Sequence, residues 1–196
     1  KEGRRILFVG RNFVRKGGPL VVQAFTILRK KYLCSAELYL AGAKESDIRD
    51  ALRERQIRVE EVDWQKIHLL GDLGSEKLTD YYNLCDVFCM PSHFEAYGLV
   101  FAEALTYGLP CIGRDKFAMS EFIEDGCTGR LISGEDAEEL ALDLWEVLQD
   151  PKYREEVERR REWYLREYSW DKVAQRICSV MEKNERDKDQ YRSAGV

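Results

Sequence analysis

Short apolar runs that each end at a glycine or proline constrain this chain most. Ile6-Leu7-Phe8-Val9 ends at Gly10, and Glu37-Leu38-Tyr39-Leu40 closes at Gly42. Ile67 to Leu70 stops at Gly71, and Val87 to Met90 stops at Pro91. Pro110 to Gly113 and Arg130 to Ile132 complete the series. A strand buried on both faces reads as such an unbroken run. The intervening segments have helical spacing. Pro19 suits a first helical turn followed by Leu20, Ala24, Phe25 and Leu28. Residues 45–56 read as a charged surface helix, and Leu78, Tyr81, Tyr82 and Cys85 form a stripe. Shorter helices are expected from about Val100 to Tyr107, closed by Gly108, and from Ser120 to Glu124. Beyond Asp136 the pattern predicts helices over 136–149, 152–167 and 170–184, then a polar tail expected to be disordered. Strands alternating with helices imply right-handed crossovers and a parallel sheet. The expected fold class is α/β, a doubly wound parallel six-stranded sheet with C-terminal helices.

A chain of 196 residues suits one domain. Thirty-one basic against thirty-six acidic residues leave a net charge of −5, so nothing draws the whole surface to nucleic acid or anionic lipid. No apolar run is long enough to span a membrane. The six cysteines are scattered without a Cys-x-x-Cys, and His68 and His93 lie far from any cysteine pair, so no metal site is expected. Cys89 and Cys111 sit inside apolar runs as reduced thiols do, which suits a cytoplasmic compartment. The chain begins at Lys1 rather than Met, as a piece of a longer protein would.

Ligands of such sheets bind beyond the carboxyl ends of the strands, near the point where strand order reverses. The first such loop runs from Gly10 to Pro19 and carries Arg11 and Lys16. With a helix opening behind it, it suits phosphate; it also suits a solvated turn with two surface cations. The loop after Met90 carries Glu95, and Glu103 lies one turn into the next helix. Gly98 permits close backbone approach, and the N–H groups of Leu99 and Val100 open that helix. The acids read as a helix-dipole residue and a loop charge, as a glycosidase pair, or as groups for sugar hydroxyls. Two cations and two acids at one edge favour a ligand with both phosphate and hydroxyls.

The ordered motifs resemble the C-terminal, donor-binding half of a GT-B glycosyltransferase of family four, over residues 5 to about 180. Gly10-Arg11 with Lys16-Gly17, Leu70-Gly71, Tyr81-Tyr82 with Asp86-Val87, Glu95-x7-Glu103, Gly108-Leu109-Pro110, Glu121, Asp125-Gly126 with Thr128-Gly129, and Tyr168-Ser169-Trp170 carry the likeness in register. The resemblance implies a Rossmann-like donor domain over 1–185 with a tail over 186–196. Arg11 and Lys16 would hold a diphosphate. Glu95 would face the donor sugar, and Glu103 would bond ribose hydroxyls. Gly98, Leu99 and Val100 would contact sugar and phosphate through backbone, and Gly71 to Leu73 would pack the nucleobase. The implied catalytic groups are Glu95, Arg11 and Lys16, working on a UDP-, GDP- or ADP-sugar with retention and without metal or other cofactor. The implied partner is an N-terminal acceptor domain missing from this chain, through which alone a membrane would be reached; no nucleic-acid partner is implied. The isolated chain is expected to be nearly inactive in transfer.

Two departures stand out. The family's frequent Gly-Gly pair before the residue matching Glu121 is replaced within Lys116-Phe117-Ala118-Met119-Ser120. Ala96 stands where the family usually has Gly or Pro. A stand-alone sugar-nucleotide binding module and a GT-B epimerase or phosphorylase are the rival readings. His93 reads as a loop residue near the site and His68 as a core histidine. Arg159-Arg160-Arg161, set among glutamates, reads as a solvated face. Trp163, Tyr164 and Trp170 are expected either to be buried here or to await a missing partner.

Overall fold

The computed structural model describes the backbone of residues 4–193 and the side-chain surroundings of residues 4–181. Six strands, β1 (Arg5–Val9), β2 (Glu37–Ala41), β3 (Ile67–Gly71), β4 (Val87–Cys89), β5 (Cys111–Arg114) and β6 (Gly129–Ile132), form one sheet in the order β3-β2-β1-β4-β5-β6. Every pairing is parallel, with Ile6 opposite Leu38 on one side and Val87 on the other. The doubly wound six-stranded sheet is therefore present. Its helices are α1 (Gly18–Lys31), α2 (Glu45–Glu54), α3 (Ser75–Leu84), α4 (Leu99–Thr106), α5 (Met119–Phe122), α6 (Ala137–Gln149), α7 (Pro151–Glu167) and α8 (Trp170–Ser193).

The central strands are apolar because both faces are covered. Ile6, Leu7, Phe8, Leu38, Leu40, Val87, Phe88, Cys111 and Ile112 are fully buried. Each large side chain among them contributes roughly 1.5–3 kcal/mol by leaving water. The ring of Phe88 meets Phe101 of α4 edge-on at 5.2 Å, which seats that helix against the strand before it. α1 packs on α6, and α4 packs on α7. Right-handed crossovers from β1 toward β2 and from β4 toward β5 send α1 and α4 to opposite faces, so a crevice opens between the ends of β1 and β4.

The expected elements are all found, with ends moved by one or two residues except at the C-terminal end of α8. Two short 3-10 turns, Val59–Glu61 and Trp64–Lys66, lie where only a connection was expected. The α8 backbone is helical to Ser193, past the expected end at 184; its polar terminal stretch holds no Gly or Pro before Gly195 to stop it. Residues 194–196 of the expected tail lie outside the described residues.

His68 is not in the core. It lies on the edge strand β3, partly exposed, stacked on Tyr39 at 4.4 Å with Nε2 3.5 Å from Glu37. An apolar flank on each side looks the same in an edge strand and a central one. Tyr164 is buried, whereas Trp163 is 46 % and Trp170 83 % exposed. The arginine triplet is tied down more than a solvated face would be. Arg160 pairs with Glu124 and Glu156, and Arg161 donates to the Thr106 carbonyl, fastening α7 to the segments around α4 and α5. All six cysteines are unpaired. Among the described residues, no helix is long and apolar enough to cross a membrane.

Candidate functional site

The loop between β1 and α1 is shaped by Asn12. Its side chain accepts from the Arg15 N–H (3.0 Å) and its carbonyl from the Lys16 N–H (3.0 Å). The Lys16 stem lies over Gly10, where a Cβ would come within 2.8 Å of Lys16 Cγ. Gly17 follows with φ +80, so α1 begins from a left-handed residue pressed on Pro91 at the end of β4. This close approach of two loops carries the Lys16 ammonium to Glu95, to which it donates. Both side chains are largely shielded, at 13 and 12 % exposure. The Glu95 stem rests near Gly98, whose φ of +81 starts α4.

Arg11 reaches the other way. Its Nε donates to Asp72 Oδ1 at 3.1 Å, and both partners are well exposed. Asp72 stands between Gly71 and Leu73, so this pair joins the first loop to the one after β3. A contact so exposed adds little stability and leaves the guanidinium free to change partner. Gly71 has φ +62 and accepts the Gly42 N–H at 2.7 Å. Leu73 is partly buried.

Glu103 faces α3. Its Oε2 accepts a 2.8 Å bond from the hydroxyl of Tyr82, a buried ring stacked on Tyr107. Burial, then the Glu103 charge, push the Tyr82 phenol far above its ordinary range. The structure therefore joins Lys16 to Glu95 and Arg11 to the 71–73 loop. Among the described residues, no hydrogen bond or ion pair links Glu103 to the Lys16–Glu95 pair. Leu99 and Val100 open α4 without a side-chain cap, so their N–H groups face outward from the helix end.

One set of supports carries almost no sequence signal. Ser92 Oγ donates to the Phe94 carbonyl at 2.8 Å, and Arg15 Nη1 donates to the same oxygen at 2.6 Å. The His93 N–H donates to the Arg15 carbonyl, and its Nε2 lies 2.8 Å from Glu135 Oε1. The same Glu135 oxygen accepts from Arg114, a guanidinium buried at the end of β5 that also donates to the Gly134 and Pro91 carbonyls. A buried charge is tolerated only when partnered, and these bonds splint the Glu95 loop to the loops after β1 and β6. An arginine closing the apolar run Cys111-Ile112-Gly113 was the one visible hint. Among the described residues, no three His, Cys, Asp or Glu side chains are grouped to hold a metal.

A doubly wound parallel sheet with a cation–acid pair at its switch point defines a Rossmann-like domain of the kind that forms one half of a GT-B glycosyltransferase. Known proteins agree. Sucrose-phosphate synthase from Thermosynechococcus elongatus superposes with a TM-score of 0.78 at 25 % identity, over 95 % of this chain and 46 % of its own. An Anabaena protein, HepE, solved with UDP and glucose, gives 0.77 at 19 % identity over 93 % and 49 %. The phosphatidyl-myo-inositol mannosyltransferase of Mycolicibacterium smegmatis is 28 % identical over 185 residues, 93 % of this chain and 46 % of that protein. The family model "Glycosyl transferases group 1" matches residues 1–163, and the chain belongs to that family. It spans about half the length of the curated relatives it matches.

Proposed function

We propose that this chain is the donor-binding domain of a retaining, metal-independent glycosyltransferase that uses a nucleotide-diphosphate sugar. The observation that carries the reading is the Lys16–Glu95 pair: a cation suited to phosphate and an acid suited to a sugar already meet at the switch point. Arg11 and Lys16 hold the diphosphate. Glu95 faces the sugar, and Glu103 takes the ribose hydroxyls. The backbone of Gly98, Leu99 and Val100 contacts sugar and phosphate, and Gly71 to Leu73 pack the base. A neighbour of the same fold solved with UDP and glucose supports this choice of ligand.

In transfer, the bond from the sugar's C1 to the diphosphate oxygen breaks and its electron pair leaves on the phosphate. The acceptor oxygen bonds to C1 on the same face as its hydroxyl proton passes to the departing phosphate oxygen. Charge grows on the leaving group, so fixed cations and helix N–H groups stabilise the transition state more than the ground state. Glu95 places negative charge beside the oxocarbenium-like ring.

The acceptor belongs to a second, N-terminal domain. Trp170, Ile177, Val180 and Met181 on α8 are all more than half exposed, an apolar face suited to packing on it. The unpaired thiols suit a cytoplasmic site.

Calorimetric titration with UDP-, GDP-, ADP- and dTDP-sugars tests the reading. At least one binds, and Arg11→Ala weakens it by about tenfold or more, as loss of one charged hydrogen bond does. Glu103→Ala weakens the ribonucleotide more than its 2′,3′-dideoxy analogue. Equal losses for the two would remove Glu103 from the ribose. Tyr82→Phe frees the Glu103 carboxylate from its support. It is expected to cost about 1 kcal/mol of stability in urea and to halve or further reduce the ribose preference. An unchanged preference would leave Tyr82 a packing residue.

A further inference from the structure

Phe117 is a bulky residue with φ +57, in the left-handed region where side chains clash with their own backbone. It follows β5, and Phe94 follows the adjacent β4, so both stand at the carboxyl edge of the sheet. The two rings meet edge to face at 5.2 Å. Yet neither is covered, with Phe117 49 % and Phe94 51 % exposed. The pair is held firmly. Ser92 and Arg15 clamp the Phe94 carbonyl, and Ser120 Oγ donates to the Phe117 carbonyl at 3.3 Å. Phe94 immediately precedes Glu95. A strained backbone that fixes two half-wet rings at the same sheet edge as the shielded Lys16–Glu95 pair does not serve the core, because neither ring is in it.

We propose that Phe94 and Phe117 form an aromatic wall that takes the apolar C–H face of the donor's pyranose ring while Glu95 takes its hydroxyls. The inference rests on the donor-binding reading and adds the residues that distinguish a nucleotide sugar from the bare nucleotide. The physics is that of any sugar on an aromatic face. A pyranose has one face lined by slightly positive C–H groups and a rim of hydroxyls, and an aromatic ring presents a negative face. Pockets for such ligands pair apolar walls with a few fixed polar groups. With this left-handed conformation at Phe117, its ring stands edge to face with Phe94 while half of it stays open to a ligand. The same conformation makes glycine the natural residue at this position if no ring were needed.

The test compares two affinities in each variant, for a nucleotide sugar and for the matching nucleoside diphosphate. Phe117→Gly relieves the backbone, so its melting temperature holds or rises and misfolding does not confound the result. Nucleoside diphosphate affinity stays within about twofold, while nucleotide-sugar affinity falls about tenfold, the worth of one good aromatic contact. Phe94→Ala gives the same pattern, and Phe117→Tyr, which keeps the ring, retains the wild-type ratio. A ratio unchanged in Phe117→Gly would overturn the wall, as would a loss in Phe117→Tyr as large as in Phe117→Gly. If the wild-type chain bound neither ligand, the donor reading itself would fail, a result distinct from the failure of the wall.

Discussion

Replacing Lys16 with methionine is expected to lower nucleotide-sugar affinity by about a hundredfold or more and also to destabilise the free protein. The two effects have separate origins. The affinity loss comes from the diphosphate, whose charge no longer meets an ammonium. The stability loss comes from Glu95, a shielded carboxylate left without its partner. Breaking a fully buried pair costs about 3–5 kcal/mol, and the residual exposure here lowers the expectation to about 2 kcal/mol. Methionine keeps the stem that lies over Gly10, so lost packing adds little. Glu95→Gln added to Lys16→Met should recover most of the stability, because no uncompensated charge remains, yet recover none of the binding. Urea unfolding of the two single variants and the double variant reads the first effect, and calorimetry reads the second. Additive stability losses would mean that the pair is not coupled in the folded chain.

Gly17→Ala is the other large change. Its φ of +80 disfavours any side chain, and a Cβ there would stand 2.3 Å from the Pro91 carbonyl oxygen. Backbone strain accounts for about 1–2 kcal/mol. The clash is with main chain, so the β1 and β4 loops must part, and the total is expected to reach about 3–4 kcal/mol. Gly126→Ala is the control. It has a similar φ of +73 with open space around it, and it should cost only the strain. Parting the loops also separates Lys16 from Glu95, so the surviving folded Gly17→Ala protein should bind donor weakly. Equal losses in the two variants, read by urea unfolding, would show that the approach of the loops is not tight.

The sheet was legible because burial on both faces leaves an unbroken apolar run, and in β1, β2 and β4 nothing else competes for the pattern. β3 was legible as a strand but not as an edge, since His68 between Ile67 and Leu69 looks central until the strand order is known. The loops that carry Arg11, Lys16 and Glu95, and the helix start that carries Glu103, could be set at one edge from topology alone. Their partners could not. Tyr82 for Glu103, Asp72 for Arg11 and Glu135 for His93 and Arg114 are long-range pairs with no local spacing to betray them. The conformation of Phe117 was hidden for a related reason. Left-handed backbone is usually announced by glycine, and here the chain adopts it with a phenylalanine.

One nucleotide sugar is expected to lie between the loops after β1 and β4. A crystal structure of the chain with the nucleoside diphosphate selected by titration tests it most directly. Diphosphate oxygens are expected on Lys16 and Arg11, with Lys16 drawn from Glu95 and Arg11 from Asp72, and ribose hydroxyls on Glu103. A nucleotide bound elsewhere, with the Lys16–Glu95 pair unbroken, would contradict it.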